Sequence, residues 1–205
     1  MQAPETFFYQ TITQIATAEF KDRGSKFIAY TFPVNNKESF KKHLEDLKKE
    51  HAKAVHFCFA YRLGLDGYDF RVSDDGEPSG SAGKPILNQI DSKQLTNIAV
   101  VVVRYFGGTL LGVPGLINAY KTATALALQV VPIIQKPVEV NYELQFDYTM
   151  MNEIMQLVKQ YNCSVIKQEI QLFCLMHIGI SKQREEAFLY KLKELHTVSV
   201  RKVKL

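Results

Sequence analysis

The sequence predicts an α+β protein in two parts, the second a ferredoxin-like βαββαβ domain. Three observations carry that reading. Residues 138–204 run strand, helix, strand, strand, helix, strand by their apolar periodicity. Residues 97–106, NIAVVVVRYF, form an unbroken apolar run of strand length, suited to the covered centre of a sheet. The 205 residues are 46% apolar and 22% charged, ordinary for a globular chain and enough for one large domain or two small ones.

The first part is read element by element. Residues 6–20, TFFYQTITQIATAEF, are rich in β-formers and predict one strand. After the break at Asp22-Arg23-Gly24-Ser25, the segment from Lys26 to Pro33 predicts a second strand, ended by its proline. Asn35–Glu50 predicts a helix, with Asn35 as cap and Glu38 completing a capping box. Its apolar stripe is Phe40, Leu44 and Leu47, and its charges form a solvated face. Ala54–Leu63 predicts a strand with two unlike faces: Val55, Phe57, Phe59, Tyr61 and Leu63 on one, His56, Cys58 and Ala60 on the other. Pro85–Ile90 predicts the first turns of a short helix. After Gly107-Gly108, residues 110–131 predict a helix whose one charge is Lys121, and which therefore must be largely buried.

Pro132–Pro137, PIIQKP, predicts a linker, which sets the domains at 1–133 and 138–205. In the second part, Asp147 is the expected cap of a helix carrying Met151, Ile154, Met155 and Val158. Ser181 is the expected cap of a helix carrying Phe188, Leu192 and Leu195. The methionines read as core filler.

Composition excludes several classes. The longest near-apolar stretch, Ala123–Ile134, is too short to span a bilayer, and the opening MQAPETFFYQ lacks the pattern of a secretory leader. Cys58, Cys163 and Cys174 are too few for a disulfide framework, which favours a reducing cytoplasm. Net charge is +4, spread over both parts, without the steep bias of a strongly nucleic-acid-binding chain. A monomer is the default expectation.

Chemistry concentrates in Asp74-Asp75-Gly76-Glu77-Pro78-Ser79-Gly80-Ser81-Ala82-Gly83-Lys84. Successive amides before a helix can cradle an anion, with Lys84 as a point charge. Asp74, Asp75 and Glu77 can equally hold Mg²⁺. The stretch is not a Walker loop, having Pro78 where glycine is required and Pro85 after the lysine. A surface loop whose carboxylates cap amides remains the plain alternative. Arg104, leaving the buried strand beside Tyr105, Phe106, Gly107 and Gly108, can meet a phosphate, stack a base, or pair structurally with Asp74 or Asp75. His56 and Cys58, two apart on one strand face, stand about 7 Å apart at the backbone, which disfavours direct activation of the thiol. Cys174 and His177 lack zinc-like partners. The arrangement expected is a hollow in which the acidic loop folds back beside the strand ending at Phe106. Arg104 would lie near the carboxylates, His56 would face them, and Gly107 and Gly108 would leave room for the loop backbone.

Lys26-FIAY, His56-FCFAYR, Asp74-DGEPSGSAGKPIL and Val101-VVRYFGGTLLG together resemble the IMPACT/YigZ family, across about residues 15–130. Gly83, Arg104, Gly107 and Gly108 fall on its signature. The C-terminal part is similar to the small ferredoxin-like domain that bacterial members append. The resemblance implies an N-terminal βαβ domain like the second domain of a small-subunit ribosomal protein. It also implies a link to translation, since eukaryotic members regulate initiation by interfering with a starvation-responsive kinase. They do so with an extra domain that has no counterpart here. It implies no catalytic residues. The expectation is a non-enzymatic protein contacting RNA or the translation machinery in the cytoplasm. The alternative is a Mg-dependent enzyme acting on a phosphorylated or nucleotide substrate at Asp74–Lys84. The candidate contact residues are Lys26, His56, Asp74, Asp75, Gly76, Glu77, Ser81, Gly83, Lys84, Arg104, Gly107 and Gly108.

Overall fold

The computed structural model describes residues 6–203; positions 1–5, which open the segment read for a leader, and 204–205 lie outside it. The chain forms two compact units, Tyr9–Lys136 and a second that runs from Pro137 and also takes residues 6–8. In chain order the elements of the first stretch are β1 (Phe8–Ile12), β2 (Ala16–Asp22), β3 (Ser25–Pro33), α1 (Lys37–Glu50), β4 (His56–Leu63), β5 (Asp69–Ser73), α2 (Gly83–Ser92), β6 (Ile98–Tyr105), α3 (Gly112–Val130) and β7 (Ile133–Pro137).

Five strands make one sheet in the order β2-β3-β6-β4-β5, each pair antiparallel. β6 takes the central place, and Ile98–Val103 are wholly buried, as an apolar run without alternation requires. The two faces of β4 are covered differently. Phe57, Phe59, Tyr61 and Leu63 pack with Phe40 and Leu47 of α1, while Cys58 and Ala60 join Val100 and Val102 against α2 and α3. The unit is thus three layers, with the small residues of β4 facing the layer built from the glycine-rich segments.

Several expectations change. The strand expected over 6–20 is two strands serving different sheets: β2 pairs with β3, and β1 pairs with β7. The segment read as a linker is therefore itself a strand, with Pro137 at its end where a missing amide is tolerated. The cap of α1 is Asn36 rather than Asn35: its backbone is extended and its Oδ1 accepts from the Ser39 amide at 2.8 Å. Val55 lies outside β4 and is exposed. α3 is buried along one stripe only, through Leu116, Ala119, Tyr120, Ala123 and Ala127, and leaves Val113, Ile117 and Val130 exposed. Among the described residues no helix is long and apolar enough to cross a membrane.

The second unit contains β8 (Glu139–Asp147), α4 (Met151–Gln160), β9 (Ser164–Glu169), β10 (Phe173–Ser181), α5 (Glu185–Glu194) and β11 (Ser199–Val203). The sheet order β11-β8-β10-β9, antiparallel throughout, is the ferredoxin-like order of a βαββαβ chain. Ile154, Val158, Phe188 and Leu192 cover one face, and Met151 and Met155 pack at the edge of that core. Asp147 caps a single 3₁₀ turn ahead of α4, through the Thr149 amide. Ser181 makes no such cap, because a 3₁₀ turn at Lys182–Arg184 intervenes before α5.

Candidate functional site

The acidic loop leaves β5 and reverses direction through two left-handed residues, Asp75 (φ +42°) and Gly76 (φ +90°). That reversal sends its three carboxylates to three separate places. Asp74 turns to the start of α2, where Oδ1 accepts from the amides of Ala82 and Gly83 and Oδ2 from Gly80, each at 2.9 Å. Burial pulls the Asp74 carboxyl upward, but the three amide bonds outweigh it and hold the group below its ordinary value. Asp75 points back to β4 and accepts from the Phe57 amide at 2.6 Å. Glu77 goes inward and is almost fully buried.

Glu77 is the centre of the cluster. Its Oε1 receives Arg104 Nη1 at 2.6 Å and the Tyr120 hydroxyl at 2.7 Å, and His56 Nε2 stands 3.9 Å away. Register places His56 directly opposite Arg104 across β4 and β6. His56 Nδ1 donates to the Asp75 carbonyl at 2.7 Å, which fixes the ring, and a Cβ on Gly76 would stand 3.5 Å from that ring. The Arg104 guanidinium sits 5.4 Å from the Phe27 ring and 5.7 Å from that of Phe106, and its Nε is buried without a partner. Cys58 donates to the Asp74 carbonyl at 3.0 Å, with the Tyr120 hydroxyl at 3.2 Å. Burial pushes both the Cys58 thiol and the Tyr120 phenol well up.

This chemistry is committed inward. The amides that would cradle an anion at α2 are filled by Asp74. The loop carboxylates share no common point, so they do not fit Mg²⁺, and the described residues contain no cluster of three or more metal-ligating side chains. Cys58 meets a carbonyl and a tyrosine, not a base. Ser81 donates to the Pro78 carbonyl, and Gly83 is required because a Cβ there would lie 2.7 Å from the Ser73 amide. Lys84 is exposed in the first turn of α2.

The structure therefore brings together His56, Asp75, Gly76, Glu77 and Arg104, with Asp74, Ser81 and Gly83 building the loop behind them. The partner of Arg104 is Glu77 rather than Asp74 or Asp75. Lys26 falls on the opposite face of the sheet, over the Tyr105 ring at 5.1 Å and 3.7 Å from Glu19. Gly107 makes room for a different neighbour from the acidic loop. It donates to Ser25 Oγ at 3.1 Å, and a Cβ on it would lie 1.9 Å from the Gly24 carbonyl carbon, so the β2–β3 turn occupies that space. Sequence reading missed Tyr120, whose signal was a hydroxyl on the buried stripe of an apolar helix. Phe106, which the sequence placed beside Arg104 without naming it among the contact residues, is 49% exposed. Leu110, Val113 and Ile117 are exposed as well.

The Impact N-terminal domain family model matches residues 23–128, the stretch that builds this cluster. An IMPACT family member of Haemophilus influenzae is 36% identical over 84% of this chain and 84% of its own length. IMPACT family member YigZ of Escherichia coli is 34% identical over 84% and 85%. A crystal structure described as that of a hypothetical protein superposes with a TM-score of 0.77 at 29% identity, over 98% of this chain and 99% of that one.

Proposed function

This chain belongs to the IMPACT family, and from that premise we propose that it is a non-enzymatic, cytoplasmic binding protein of translation that contacts RNA on the ribosome. The observation that carries the reading is the setting of Phe106. An aromatic ring is held half in solvent, backed by the Arg104 guanidinium and flanked by the exposed Arg23 turn where Gly24 meets Gly107. A ring so placed offers a stacking platform for an unpaired base. The inward commitment of Asp74, Glu77 and Cys58 favours binding over catalysis.

Cosedimentation with ribosomes, and titration of a fluorescent single-stranded RNA, test this. Binding is expected to weaken with salt at a log–log slope near −0.7 per phosphate, with about three to five phosphates neutralised because basic residues are sparse. Phe106→Ala should lower RNA affinity by roughly tenfold, as loss of one stacked base does, while leaving the fold intact. Salt-independent binding, or a Phe106→Ala variant that binds as well as the parent, would overturn the assignment.

A further inference from the structure

The first unit holds a second concave site at the opposite end of β6, about 30 Å from Phe106 at the rise of a strand. It is a cavity of about 270 Å³ reached by Tyr9, Thr13, Asn35 and Lys136, with Asn97 and Ile12 in its wall. The wall is firmly built. Asn97, in a left-handed conformation, accepts the Val34 amide at its carbonyl and the Gly64 amide at its Oδ1, and the Gln10 carbonyl accepts from Thr96. The four side chains reaching the cavity are otherwise idle: among the described residues none makes a side-chain hydrogen bond or ion pair. Each is a donor — two hydroxyls, an amide and an ammonium — and the lining contains no Asp or Glu to oppose a negative charge. α1 begins two residues after Asn35, which adds the positive end of its dipole.

We propose that this cavity binds a small oxyanion, the phosphoryl group of a small phosphate ester, with Lys136 as countercharge and Asn35 as the orienting donor. Its volume is enough for a phosphoryl group with a few carbons. Lysine meets phosphate as a point charge, which suits a single cation among neutral donors. The proposal is independent of the RNA reading and uses none of its residues.

The test is a titration of the ¹⁵N-labelled full chain with inorganic phosphate and with glycerol 3-phosphate, against sodium chloride at equal ionic strength. The side-chain amide of Asn35 and the backbone amides of Thr13 and Asn97 are followed by NMR. Saturable shifts confined to these groups are expected with the two phosphates and not with chloride. Tighter binding of the ester identifies it as the ligand class; equal binding identifies the phosphoryl group alone. Lys136→Ala should weaken binding about tenfold or more, the value of one charged hydrogen bond. Lys136→Arg should restore most of it, and Phe106→Ala should leave it unchanged. Shifts that match those in chloride, do not saturate, or survive Lys136→Ala would overturn the proposal.

Discussion

Removing either partner of the Glu77–Arg104 pair should destabilise the first unit strongly but unequally. The two side chains are 3% and 6% exposed and meet at 2.6 Å, so truncating one leaves the other buried without its counterion. Such losses cost about 3–5 kcal/mol. In Arg104→Ala, Glu77 keeps the Tyr120 hydroxyl and the His56 ring 3.9 Å away. In Glu77→Ala, Arg104 keeps only the flanking Phe27 and Phe106 rings, its Nε already lacks a partner, and a guanidinium cannot shed its charge. Glu77→Ala is therefore the worse of the two. At about 2–4 °C per kcal/mol for a chain of this size, it should lower the transition of this unit by roughly 6–20 °C. The double variant Glu77→Leu with Arg104→Met, which replaces the pair by apolar groups, should recover most of the loss. Scanning calorimetry of the parent, the two single variants and this double variant measures the losses and the recovery. Single variants within about 1 kcal/mol of the parent would place the pair effectively in solvent and refute the reasoning.

Asp74→Asn should cost about 1 kcal/mol at neutral pH through its weaker cap on α2. Because the folded carboxyl titrates below its ordinary 3.8, the extra stability is present above that pH and fades as pH falls through the folded value. Urea unfolding at pH 7 and pH 3 should therefore show the gap between parent and variant shrinking in acid, and a constant gap would contradict the cap. Gly107→Ala should be far more damaging than Gly108→Ala. The first drives a methyl into the Gly24 backbone, whereas the second meets no atom within 4 Å and carries only the strain of φ +84°, about 1–2 kcal/mol. Equal melting temperatures would mean that the β2–β3 turn yields freely. A fragment of residues 9–136 should melt cooperatively by itself, since the five-stranded sheet and both its helical layers lie within it; dye binding typical of exposed apolar surface would show that its core needs more of the chain.

What the sequence displayed was whatever is written in short-range pattern. The two unlike faces of β4, the central burial of β6 and the βαββαβ order of the second unit follow from side-chain period, and a strand's period does not depend on its partner. What it concealed depends on distant residues. β7 is five residues bounded by Pro132 and Pro137, and becomes a strand because β1, at the other end of the unit, lies beside it. In the acidic loop the composition announced three carboxylates, but which one is buried is decided by two left-handed residues and by where Arg104 and Tyr120 wait. Those facts belong to the turn and to two other elements. The cap of α1 was missed by one position because two adjacent asparagines offer the same side chain.

The pairing of β1 with β7 also bears on how the molecule is made. During synthesis β1 must wait for a partner translated more than a hundred residues later. Until then its backbone groups are an open edge, available to any other unpaired strand in the cell. The five-stranded sheet, whose strands all lie between these two, can form meanwhile and draw the ends together, so that the last closure joins two anchored segments rather than two free ends. The ribbon is then a clasp fastened after the sheet between its two strands has formed, and a slow late step in refolding is expected to belong to it.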